Sequence, residues 1–123
     1  MENLKIQIGT PSQFNSSKSL TKSTLRTGDY FLSAYLDELV GSLRVVKYAK
    51  SYIIREVTTL ENARGKGIGT AMMTAILEFL AKKKMPIYLY VDPANSAVRI
   101  YKKLGFTLVK QNAAWGDKYM YTK

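Results

Sequence analysis

Arg64-Gly65-Lys66-Gly67-Ile68-Gly69-Thr70 is the stretch that decides how this 123-residue chain is understood. Three glycines at alternate positions leave backbone N–H groups uncovered, so a phosphate can approach them at the positive end of a helix that begins here. Arg64 and Lys66 set two cations beside those amides. Two common phosphate loops fail against the letters. A P-loop needs glycine five positions before Gly65 and Ser or Thr after Lys66, where Leu60 and Gly67 stand. A dinucleotide fingerprint needs its third glycine at position 70, which is Thr70.

Outward from the loop, the period of the apolar residues changes. Residues 52–60 are β-branched and long enough to cross a sheet, whereas Ile68, Met72, Ala75, Ile76, Phe79 and Leu80 recur at the three- and four-residue steps of an amphipathic helix. Lys82, Lys83 and Lys84 suit the end of that helix, and Pro86 stops it. Residues 87–91 predict a short strand and Asp92-Pro93 a turn. Ala97, Val98, Tyr101 and Leu104 then keep helical spacing up to a C-cap at Gly105. Residues 106–109 and 119–121 predict closing strands about a hairpin at 112–117. Upstream, residues 4–8 predict a strand, 12–28 a polar loop with at most one helical turn, and 30–36 with 39–46 a hairpin about Asp37-Glu38. The order predicts one domain of mixed α/β class: a mostly antiparallel sheet with one parallel strand-helix-strand crossover at the glycine loop.

Composition narrows the chemistry. There is no cysteine and no histidine, so thiolate nucleophiles, Ser-His-Asp triads and a metal site of the usual Cys/His kind cannot be built from this chain. No metal is expected. The absence of a long apolar run argues against a membrane span. MENLKIQIGT lacks the layout of a secretory signal, so the expected location is cytoplasmic. Net charge is +10, carried unevenly: residues 64–123 hold eleven Lys and Arg against three Asp and Glu. Such an excess favours polyanionic partners: nucleic acid, acidic lipid headgroups or a phosphate-bearing cofactor, among which composition does not choose.

Arg64-x-x-Gly67-x-Gly69, between a strand and an amphipathic helix, resembles the cofactor motif of the GNAT superfamily of acyl-CoA-dependent N-acetyltransferases. The segment from Asn95 through Ala97 and Tyr101 to Leu104-Gly105-Phe106 is similar to that family's second signature. The resemblance runs from about residue 40 to 106. It implies a GNAT-like fold and acetyl-CoA as cofactor. The pyrophosphate would lie on Arg64, Gly65, Lys66, Gly67, Ile68, Gly69 and Thr70, and the pantetheine arm along Val57, Thr58, Thr59 and Leu60. A strand N–H near Val57 would meet the acetyl carbonyl. It further implies that Tyr101, at the cofactor, protonates the departing thiolate, and that an unidentified primary amine attacks directly.

Two departures from the family pattern stand out. The family's asparagine stands seven residues before the tyrosine, where this chain has Ala94; Asn95 lies six before, so either the turn is shorter or Asn95 has another job. The family's two N-terminal helices, which wall the acceptor site, have room only for a remnant in residues 9–28. With histidine missing, Glu56 is the first candidate general base and Glu61 the second; the ordinary reading of either is a surface or strand-edge carboxylate answering Arg55 or Arg64. The tyrosines are expected to pack on strands, Met72 and Met73 to fill the core, and Trp115 to be a partly buried turn residue. The alternative function is a GNAT-fold module that binds nucleic acid or another polyanion, or that inhibits a protein partner, with weak or no catalysis. Monomer and homodimer both remain open, the latter through strand pairing at residues 119–121.

Overall fold

Extended segments need strand partners for their backbone groups, and here seven of them pair in one sheet, the five inner ones on both edges. The computed structural model describes residues 3–13, 20 and 26–123. The elements are β1 (Lys5–Gly9), β2 (Tyr30–Leu36), β3 (Glu38–Lys47), β4 (Tyr52–Thr59), α1 (Ile68–Ala81), β5 (Ile87–Val91), α2 (Val98–Leu104), β6 (Phe106–Ala113) and β7 (Gly116–Tyr121). Short 3-10 turns occupy Pro11–Gln13 and Glu61–Ala63. The strand order is β1-β2-β3-β4-β5-β7-β6. Only β4 and β5 pair in parallel; the other neighbours are antiparallel. The mixed sheet and its single parallel crossover around α1 are as the sequence order predicts.

Helix α1 holds the crossover against the sheet. Ile68, Met72, Met73, Ile76, Leu77 and Leu80 are buried against Leu32, Leu43, Val45, Ile54 and Leu89, each such side chain contributing roughly 1.5–3 kcal/mol. The expected stripe was rotated slightly: Ala75 and Phe79 are half-buried at its flank, and Met73 and Leu77 lie at its centre. A Cβ on Gly41 would come 2.8 Å from the Met72 sulfur, so glycine there lets the helix approach β3 closely. The helix ends at Ala81. The three lysines lie just beyond it, with Lys84 at a left-handed φ of 58°.

Three other expectations change. The β2–β3 hairpin turns on Asp37 alone, at φ 66°, with Leu36 opposite Glu38. Strand β7 lies inside the sheet between β5 and β6, and Tyr119 is buried, so the open edges are β1 and β6 and not the 119–121 segment. The helical turn allowed within 12–28 falls largely on residues 14–19 and 21–25, outside the described residues; at Leu20 the N–H donates to Ser42 Oγ at 3.0 Å.

Asp29 is a buried charge at the start of β2. It accepts N–H groups from Arg26 and Lys47 at 3.0 and 2.9 Å, and Arg44 lies 3.6 Å away. Those partners satisfy a carboxylate that would otherwise be costly to bury. Among the described residues, no helix is long and apolar enough to cross a membrane.

Candidate active site

Strand β4 is bent before it reaches the glycine loop. Its pairing with β3 runs from Lys47↔Tyr52 to Arg44↔Arg55 and resumes at Ser42↔Thr58, so two residues, Glu56 and Val57, face Leu43 alone. This is a β-bulge, and Glu56 carries it at φ 57°. A non-glycine residue held there costs about 1–2 kcal/mol, the kind of strain that concentrates at working sites. On the other edge, the parallel ladder with β5 stops at Ile54↔Leu89. Beyond that pair the two strands diverge and leave the end of β4 with an open edge.

The loop closes the far end of this split. Gly65 and Gly67 take φ of 80° and 78°, and Gly67 stands at the N-cap of α1 without a side-chain cap. The first-turn amides of Ile68, Gly69 and Thr70 therefore have no intrahelical or side-chain acceptor. A Cβ added at Gly65 or Gly69 would meet nothing within 4 Å, so both face open space. Arg64 Nε donates to the Thr59 carbonyl at 3.1 Å, tying loop to strand and leaving the two terminal nitrogens for an anion.

A cleft of about 600 Å³ runs from the loop down the split, lined among others by Val57, Thr58, Thr59, Arg64, Gly69 and Tyr101. A shallower depression of about 170 Å³ continues over Gly67, Ile68 and Thr70. On the opposite side of the split, a cavity of about 250 Å³ is lined by Arg55, Glu56, Tyr90, Asp92, Trp115 and again Tyr101. Tyr101, buried under α2 beside Phe106, thus touches both openings. Burial pushes its phenol above the ordinary value of 10.0, so it keeps its proton.

Most sequence-predicted positions converge here, with corrections. Leu60 lines neither opening: it is exposed, and its N–H already donates to the Val40 carbonyl at 2.8 Å. Lys66 is exposed on the loop outside the cleft lining. Asn95 lines the cleft, yet its Oδ1 accepts the Ala97 N–H at 2.8 Å, which orders the turn entering α2. Glu56 is paired with Arg44 at 3.5 Å, not with Arg55 or Arg64 as expected. Glu61 sits exposed on the 3-10 turn, apart from both openings. Trp115 is 55% exposed, because the β6–β7 turn carries it past the sheet, with Tyr90 edge-on at 5.3 Å. Met73, Ser96, Ala97 and Ile100 line the cleft and were missed; only the helical phase of 73 and 97 relative to Met72 and Tyr101 could have suggested them.

The family model for the acetyltransferase (GNAT) domain matches residues 27–108. A mycothiol acetyltransferase of Corynebacterium aurimucosum is 35% identical over 57 residues, 45% of this chain and 19% of that protein. The chain thus spans less than a fifth of that relative's length. Among solved structures, an acyl-CoA N-acyltransferase from Pseudomonas aeruginosa superposes with a TM-score of 0.80 at 16% identity, covering 97% of this chain and 99% of that one. An N-acetyltransferase (PaiA) from Thermoplasma acidophilum, solved in complex with coenzyme A, gives 0.67 at 22% identity, covering 76% and 60%. At these identities the structural likeness is one of fold.

Proposed function

The chain belongs to the GNAT acetyltransferase family, and from that premise we propose that residues 1–123 form one catalytic domain that transfers an acetyl group from acetyl-CoA to a primary amine. The observation that carries this reading is the pair of openings at the split in the sheet, which share Val57, Asn95 and Tyr101 in their linings. The glycine loop borders one, and a carboxylate lines the other. The coenzyme complex of the Thermoplasma acidophilum protein supports the choice of cofactor.

The residues present fit such a cofactor. Arg64 and the amides of residues 65–70 would hold its phosphates, and the open space at Gly65 and Gly69 is the room that a side chain would take away. The unpaired edge of β4 at Val57, Thr58 and Thr59 would hold a peptide-like arm as a further strand. When bound, acetyl-CoA supplies a thioester whose acyl carbon is open to an amine. Tyr101 holds a proton at Oη, ready for a leaving sulfur, and its burial keeps that proton in place at neutral pH. Glu56, on the opposite side, would receive the proton lost by the amine, directly or through a water; Arg44 fixes its carboxylate. Neither cysteine nor histidine is needed for this, since the acyl group goes straight to nitrogen.

Calorimetric titration of the folded protein with acetyl-CoA tests the reading. Saturable binding is expected, followed by coenzyme A release on adding a suitable amine; no binding at millimolar cofactor would sink it.

A further inference from the structure

The cavity on the outer side of the split contains both signs of charge. The bulge at Glu56 interrupts the alternation of β4, so the consecutive residues Arg55 and Glu56 both line it. Arg55 stands directly across from Arg44 in the β3–β4 register, and like charges so placed repel. Their surroundings differ. Arg44 is neutralised by Asp29 at 3.6 Å and Glu56 at 3.5 Å. Arg55 meets no carboxylate among the described residues; its guanidinium lies 4.9 Å from the centroid of the Trp115 ring. A stacked guanidinium keeps its edge N–H groups available for an anion. Trp115 itself is a large exposed apolar side chain at the cavity, braced by Tyr90.

Resting on the acetyltransferase reading, we propose that this cavity selects an amine that also carries an anionic group. The amine faces Glu56 and Tyr101, Arg55 holds the carboxylate or phosphate, and Trp115 covers the body of the substrate. A volume of about 250 Å³ suits an acceptor of amino-acid size. The argument needs both charges. A simple cationic amine would gain nothing from Arg55, and a simple anion would be repelled by Glu56 and Asp92.

Trp115 is the only tryptophan in the chain, so its emission reports occupancy of this cavity without any turnover. The probes are two pairs that differ in the anionic group: phenylalanine against phenylalaninamide for a carboxylate, and O-phosphoethanolamine against ethanolamine for a phosphate. A saturable change is expected with the anion-bearing member of at least one pair. It should be at least about tenfold weaker with the member that lacks the anion, lost in Arg55→Gln and partly restored in Arg55→Lys. Acetyl-CoA affinity, measured by calorimetry on the same variants, should not change. The proposal is overturned if neither anion-bearing probe gives a saturable response, if both members of each pair respond alike, or if Arg55→Gln responds as the parent does. A failed cofactor titration beside a positive Trp115 titration would instead remove the acetyltransferase reading and leave the cavity's ligand class standing.

Discussion

The two sides of the split are made of different materials. The inner cleft is largely backbone: glycine amides, an uncapped helix end and an unpaired strand edge. The outer cavity is largely side chain, with Arg55, Glu56, Asp92, Tyr90 and Trp115 drawn from β4, β5, the turn after it and the β6–β7 hairpin. On the proposed reading, the backbone side would hold the pyrophosphate and the amide-bearing arm of the cofactor. Side chains can be exchanged one at a time, so on the same reading acceptor choice would belong to the outer side. Val57, Asn95 and Tyr101 line both, and of these only Tyr101 is buried.

This contrast can be broken by substitutions on one side that leave the other alone. The largest effect is expected from Gly69→Val. Valine is no worse than glycine within a helix, so the fold should hold, but the branched side chain enters the open space of the cleft. Acetyl-CoA affinity should fall at least about a hundredfold in calorimetry, with the Trp115 response to an anion-bearing probe unchanged. Tyr101→Phe comes next. Turnover should drop on the order of a hundredfold with acetyl-CoA affinity kept, and equal losses in both would make Tyr101 a packing residue only.

Glu56→Gln should lower kcat/KM for the amine about a hundredfold in steady-state assays while sparing the cofactor's dissociation constant. In the pH profile, Tyr101 gives a signed expectation. Its phenol is raised above 10.0 by burial, so the proton-bearing form persists up to that pH, and kcat should show no decline caused by Tyr101 below it. A limb lost at lower pH that disappears in Tyr101→Phe would contradict the assignment. The smallest effect is expected from Asn95→Ala: loss of the bond to Ala97 should cost about 1 kcal/mol, seen as a melting point lower by a few degrees, with little change in affinity.

The same contrast explains what the sequence made legible. Gly65, Gly67 and Gly69 sit within a few residues of one another, and their spacing speaks directly about backbone; the helix stripe after them is equally local. The fold's mixed sheet and its crossover follow from such short-range signals. Glu56 at a left-handed φ is not signalled by its letter, since glycine or asparagine would be the expected residue there. Nor could the partner of Glu56 be read, because Arg44 reaches it only through the β3–β4 register. Trp115 was misjudged for a related reason: burial of a turn residue depends on how far the neighbouring strands extend, and β6 and β7 run longer than their apolar letters suggest. Leu60 follows Thr59 directly in the letters, but that its N–H donates to the Val40 carbonyl depends on the β3–β4 pairing and has no local signal.

The insertion of β7 between β5 and β6 also bears on the order in which the molecule assembles. Strands β6 and β7 are joined by a two-residue turn and pair over most of their length, so they can form as a hairpin on a microsecond scale, before any contact with the rest of the sheet. Only β7 then docks, along β5. Since Trp115 sits at the hairpin's tip, a hairpin formed first would carry the outer wall with it when β7 docks along β5. Amide exchange should find β5–β7 opening independently of the β2–β3–β4 centre, exposing the outer cavity while the hydrogen-bonded amides of β3, β4 and the body of α1 stay protected.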